Sequence, residues 1–193
     1  MTRKRKVPQA EFDLGFAEKM LRERGRFSPL MIFRSPDGVR ILAAAWRNAD
    51  EKLAYCRIAR AACVAWNAHS FTLVTEAWGR RLSRRAGETV ADVIERARAV
   101  PVSQAEDRFE ILGLWRSERV RGQVRHSRVT REVQRDDTGA ISGLAPTGFD
   151  EPDSESTRWF EILPVREATP AERHGAAMVL KMLGVERAPD HVH

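Results

Sequence analysis

Leu30-Met31-Ile32-Phe33-Arg34-Ser35-Pro36-Asp37-Gly38-Val39-Arg40-Ile41-Leu42-Ala43-Ala44-Ala45-Trp46 holds two extended apolar runs, 30–33 and 39–46, on either side of a turn. Pro36 and Gly38 supply the punctuation that a reversal between strands requires, so the stretch reads as a β-hairpin. Asn48, with Glu51 three residues on, then opens a helix over 49–67, where Leu53, Cys56, Ala59, Cys63 and Trp66 recur at helical spacing. The alternating, β-prone segment 71–78 follows as a third strand. The early chain is therefore a ββαβ unit.

Working outward, residues 9–24 form an amphipathic helix with Phe12, Phe16 and Met20 on one stripe and Gly25 at its end. Thr89 caps a short helix carrying Val90, Val93, Ile94 and Ala97 on one side, and Val100-Pro101 stops it. Strand patterns then cover 109–115, 120–133 and 157–165. Residues 136–156, acidic from Asp150 to Glu155, read as a solvated loop. Thr169-Pro170-Ala171-Glu172 combines an N-cap, an N1 proline and an N3 glutamate, and starts a last helix over 170–183. The expected fold is α+β: a mixed or antiparallel sheet of five to seven strands with three to four packed helices. It should form one globular domain over 1–193, with a basic flexible tail over 1–8 and a second tail over 186–193.

Hydrophobic residues make up 42% of the chain and charged residues 31%, a balance that supports a packed core rather than disorder. The longest apolar run, 41–46, falls far short of the roughly 18 residues of a membrane helix. Arg3-Lys4-Arg5-Lys6 resembles the start of a signal peptide, but Pro8, Glu11 and Asp13 stand where its apolar region belongs, so the expected location is cytoplasmic. Cys56 and Cys63, about 10 Å apart along one helix face, are too distant for a disulfide and read as buried thiols of a reducing compartment. The net charge is +6, and 28 of the 33 basic residues are arginine. Arginine suits phosphate recognition, although a chain rich in Ala, Arg and Gly also reflects a high-GC coding bias.

Nucleotide-binding signatures are missing: there is no G-x-x-x-x-G-K-[ST], no G-x-G-x-x-G and no G-x-S-x-G elbow. The five histidines lack the spacing of a zinc site, and His69 at a helix-to-strand corner has a structural explanation. No cofactor, no metal and no catalytic residue is assigned.

Two groups of side chains remain as candidates. Glu76 on the third strand and Glu106, Asp107 and Glu110 at the start of the fourth would converge if those strands pair, and could then hold Mg²⁺ for phosphoryl chemistry. Against this, no lysine occurs between Lys52 and Lys181. Arg108 and Trp78 beside the acids point instead to ion pairs and to a sheet face covered by the third helix. The second group is basic. Arg119, Arg121, Arg125, Arg131 and Arg135 occupy odd positions of one long strand, while its valines change phase from Val120 and Val124 to Val129 and Val133, which a bulge or bend near 126–128 would reconcile. Arg80, Arg81, Arg84 and Arg85 add a cluster after the third strand. These arginines either track a phosphate backbone or guard a sheet edge beneath the acidic loop.

Thr75-Glu76-Ala77-Trp78 and Ser103-Gln104-Ala105-Glu106-Asp107-Arg108-Phe109-Glu110 resemble small bacterial and phage proteins that carry an E-A-W strand end followed by a Ser-Glu-x-x-Asp-Arg-x-Glu-like strand start. The match spans about 28–115 and departs from that pattern at Gln104-Ala105. The resemblance implies a shared ββαβ scaffold and a phage or mobile-element origin, and it carries no activity. The expected function is a non-enzymatic protein that binds nucleic acid or another polyanion through its arginine clusters. A protein-interaction or inhibitory module and a metal-dependent phosphodiesterase are the alternatives. No membrane partner is expected.

Overall fold

The computed structural model describes residues 9–147, 159 and 161–185. The elements, in chain order, are α1 (Gln9–Arg24), β1 (Leu30–Ser35), β2 (Gly38–Ala43), α2 (Ala49–Ala65), β3 (Ser70–Arg80), α3 (Val90–Ala99), β4 (Arg108–Val120), β5 (Gln123–Arg135), β6 (Ile141–Pro146) and α4 (Pro170–Met182). The strands form one sheet in the order β2-β1-β3-β4-β5-β6, with every neighbouring pair antiparallel. The α+β class and the early ββαβ unit are as the sequence predicts. The sheet is antiparallel rather than mixed, because α2 returns the chain to the other side of β1 pointing opposite to it.

Both faces of the sheet are covered, and successive strand residues serve opposite cores. On one face Met31, Phe33, Phe71 and Leu73 pack with Ala59, Ala62 and Cys63 of α2, Leu180 of α4, and Trp159, Ile162 and Leu163. Phe33 meets the Trp66 ring edge-on at 5.0 Å and the Phe71 ring at 5.3 Å. Phe33 and Phe71, both fully buried, contribute about 1.5–3 kcal/mol each. On the opposite face Ile32, Val74, Leu112, Leu114 and Val133 pack under Leu14, Ala17 and Leu21 of α1, with Phe27. The same face buries Asp13, whose Oδ1 accepts from Arg34 Nη2 at 2.5 Å and whose Oδ2 lies 3.9 Å from Arg116 Nη1.

Several expectations change. α1 turns the Leu14, Ala17 and Leu21 stripe inward, because the small Ala17 lets the helix approach the strands; Phe12 and Phe16 are exposed. The long strand expected over 120–133 is instead the end of β4, a turn and β5, paired as a hairpin with Val120 opposite Gln123. Arg121 (φ 51°) and Gly122 (φ 77°) are both left-handed, the type I′ geometry that follows strand twist. The β4–β5 register is regular through 126–128, so no bulge interrupts the strand where a bulge or bend is expected. Val124 packs toward the α2 side and Val129 and Val133 toward α1, so the phase change reflects two buried faces. Within the expected acidic loop, a tight turn at Asp136–Ala140 leads into β6, while 148–156 lie outside the described residues. The strand expected over 157–165 is not formed at 161–165, where turns and bends bury Ile162 and Leu163; residues 157, 158 and 160 lie outside the described residues. α3 buries no residue and covers no sheet face. The two expected tails, 1–8 and 186–193, also lie outside the described residues.

Candidate functional site

Pairing of β3 with β4 sets Glu76 opposite Leu112 and Trp78 opposite Glu110, which puts Glu76 and Glu110 near each other on the α1 face. Glu76 accepts from the Phe27 backbone N–H at 2.5 Å. Burial pushes its carboxyl pKa up and the nearby Glu110 charge adds to this, while the Phe27 N–H, Arg135 and Arg26 oppose it. Glu110 receives a two-pronged contact from Arg135, Nε at 2.7 Å and Nη2 at 2.6 Å. Asp107 is held elsewhere by Arg80 Nε at 2.5 Å, and Glu106 is exposed. Arg108, expected to pair with these acids, instead donates to the Ser103 carbonyl and stacks 5.0 Å over Trp78. Two of the four candidate acids thus come together, and among the described residues no group of three or more His, Cys, Asp or Glu is placed to hold a metal ion.

The nine candidate arginines separate into two kinds. Arg80 binds Asp107, and Arg81 binds Glu132 while lying 4.9 Å over the Phe109 ring. Arg84 donates to the Glu88 carbonyl, and Arg119 donates to the Pro164 carbonyl at 3.0 and 3.2 Å. Arg131 lies 3.6 Å from Glu18, and Arg135 is committed to Glu110. Arg85, Arg121 and Arg125 differ: each is exposed, and no side-chain ion pair or hydrogen bond ties it to another described residue. Arg121 and Arg125 belong to the same β4–β5 hairpin end. Glu118, directly across from Arg125, is held at 3.0 Å by Arg116, so the hairpin end keeps its positive charge.

A third place escaped the sequence reading. Between α2 and the β3–β4 region lies a cavity of about 590 Å³, with walls that include Trp46, Trp115, Trp159, Lys52, Cys56 and Thr75. The Trp46 and Trp159 rings are 5.5 Å apart at 32°. The Trp115 indole lies flat over Gly113, where an added Cβ would come within 2.3 Å of the ring. Its Nε1–H is buried without an acceptor. Glu76 reaches the cavity wall from a strand position whose carboxylate serves Phe27 on the α1 face. Cys63, beneath this region, is buried in the core against α2, and that burial raises its thiol pKa.

Comparison with models of protein families, with curated proteins and with solved structures finds no match in any of the three. Among the described residues no helix is long and apolar enough to cross a membrane.

Proposed function

We propose that this chain is a non-enzymatic binding protein of the cytoplasm that engages nucleic acid, or a polyanion of similar charge density, through the β4–β5 hairpin end. The supporting observation is the pair Arg121 and Arg125, exposed on one hairpin end with Glu118, opposite Arg125, already held by Arg116. A net charge of +6 draws a polyanion toward the protein, and guanidinium groups that no other described residue holds can contact phosphates without breaking an ion pair among the described residues. Arg80, Arg81 and Arg135 serve the fold on this reading. Binding of this kind releases counterions and reads backbone rather than bases, so it is weak, insensitive to sequence and steep in salt. Hydrolysis at Glu76 and Glu110 would first require Glu110 to release Arg135.

Fluorescence anisotropy of labelled single- and double-stranded oligonucleotides across a salt series tests the proposal. Replacing Arg121 and Arg125 together by Ala should flatten the slope of log K against log salt by about two. Absence of binding at low salt would reject it. A protein partner is then the reading that stands, favoured by α3, whose Val90 and Ile94 are exposed on a helix with no buried residue.

A further inference from the structure

We propose that the outer edge of β2 pairs with β2 of a second copy of this chain, antiparallel about Ile41, so that two sheets join into one. β2 ends the sheet, and among the described residues no strand pairs with its outer side. Ala44 N–H donates to the Pro29 carbonyl, so Leu42 and Arg40, at the alternate positions, also turn their backbone groups to β1. Val39, Ile41 and Ala43 therefore aim N–H and C=O outward. Their side chains lie on the α1 face, since Ile41 stands opposite Ile32 of that core, and all three are exposed because α1 lies over β3 and β4. The two edges of the sheet are built differently. β6 carries Pro146 and joins β5 with a register break at Gln134/Arg135, devices that discourage a further strand. β2 has no proline, no lysine and an unbroken register, and its one charge, Arg40, turns to the other face, 5.4 Å over the Trp66 ring. The sequence of β2 selects its own copy as the occupant. Pairing about Ile41 sets Ile41 against Ile41, Val39 against Ala43 and Arg40 against Leu42, so exposed apolar side chains meet and no like charges oppose. Centring on Arg40 would instead set two guanidiniums face to face. Six residues from each copy make a small interface, so the dimer is weak and reversible.

Sedimentation equilibrium of the full chain from micromolar to millimolar concentration should show a monomer passing into a dimer. About 0.15 M salt suits the measurement, because the like net charges of +6 are then screened beyond roughly 8 Å. Hydrogen exchange followed in ¹H–¹⁵N spectra locates the contact on the native chain. Amides of Val39, Ile41 and Ala43 should exchange about fivefold more slowly in concentrated than in dilute samples, and those of Arg40 and Leu42, already bonded to β1, should change less. Ile41→Lys and Ile41→Glu alter an exposed side chain and should each give a monomer, because like charges then oppose across the two-fold axis. Mixed in equal amounts, the two variants should form a dimer again. Arg121→Ala with Arg125→Ala should leave dimerisation intact, which separates this edge from the β4–β5 hairpin. A chain that stays monomeric at millimolar concentration overturns the proposal. So does a dimer whose exchange at Val39, Ile41 and Ala43 is independent of concentration, or an equal mixture of the two Ile41 variants that stays monomeric.

Discussion

Replacing Gly113 by Ala places a methyl carbon 2.3 Å from Trp115 Cη2 and 2.5 Å from Cζ3, where carbon atoms normally rest about 3.5–4.0 Å apart. Both residues lie on the α2 side of β4, two positions apart, so the indole must lift by more than an ångström from the strand on which it lies. Overpacking of this size costs about 1–3 kcal/mol. The restricted unfolded chain of an Ala variant returns about 0.4–1 kcal/mol. The net expectation is a loss of about 1–2 kcal/mol, read as a lower midpoint in urea denaturation followed by circular dichroism. In a Trp115→Val background the ring is gone and only the chain-entropy gain remains, so the same Gly113→Ala change should be neutral or slightly stabilising. The double-mutant cycle should therefore give a coupling of about 2 kcal/mol. Equal costs in the two backgrounds would refute the close indole-to-strand contact and with it the shape of the cavity wall.

Asp13→Ala strips the largely buried Arg34 guanidinium of its acid, while Arg116 keeps Glu118, and should cost about 3 kcal/mol in the same assay, because the Arg34 charge is left without this counter-ion. Glu76→Ala should destabilise by about 1–3 kcal/mol through loss of the Phe27 acceptor, while Glu76→Gln, which keeps an acceptor oxygen and removes a desolvated charge, should be near neutral at pH 7. Glu172 is drawn down to about 2 by Arg166 and then by the Thr169 backbone and hydroxyl at the start of α4. A depressed carboxyl favours the folded state above its unfolded value near 4.5, and the benefit fades as pH falls toward 2. Thermal melts of the native chain and Glu172→Gln should therefore differ at pH 6 and converge by about pH 2.

Local signals with a single physical meaning were legible. The 30–46 hairpin rests on Pro36 and Gly38, and the starts of α2, α3 and α4 rest on Asn48, Thr89 and Thr169 accepting from backbone N–H groups three residues on. Signals that depend on tertiary partners were not legible. Phe12 and Phe16 make the more apolar stripe of α1, yet close helix-to-sheet approach selected the stripe containing Ala17. The β4–β5 turn hid because Arg121 occupies a left-handed position usually taken by Asn, Asp or Gly, so the flanking runs read as one strand. With both sheet faces buried, the two valine phases of β5 resembled a bulge. Of the candidate sites, β3–β4 pairing brought Glu76 to Glu110 as the sequence suggested, but ion pairs across strands, such as Arg80 with Asp107, could not be assigned before the register was known. The tryptophan cavity draws on positions from Trp46 to Trp159, and its one local clue was a strand glycine, Gly113, two residues before Trp115.

Polyanion contact on the proposed reading is confined to the β4–β5 hairpin end. Titration of the ¹⁵N-labelled protein with a short DNA duplex at low salt tests it most directly, by mapping backbone amide shifts. Shifts should concentrate over residues 119–126, reverse with added salt and disappear in the combined Arg121→Ala and Arg125→Ala variant. Shifts centred on Arg80, Arg81 and Arg135, or spread evenly over the basic surface and unchanged in the double variant, would contradict it.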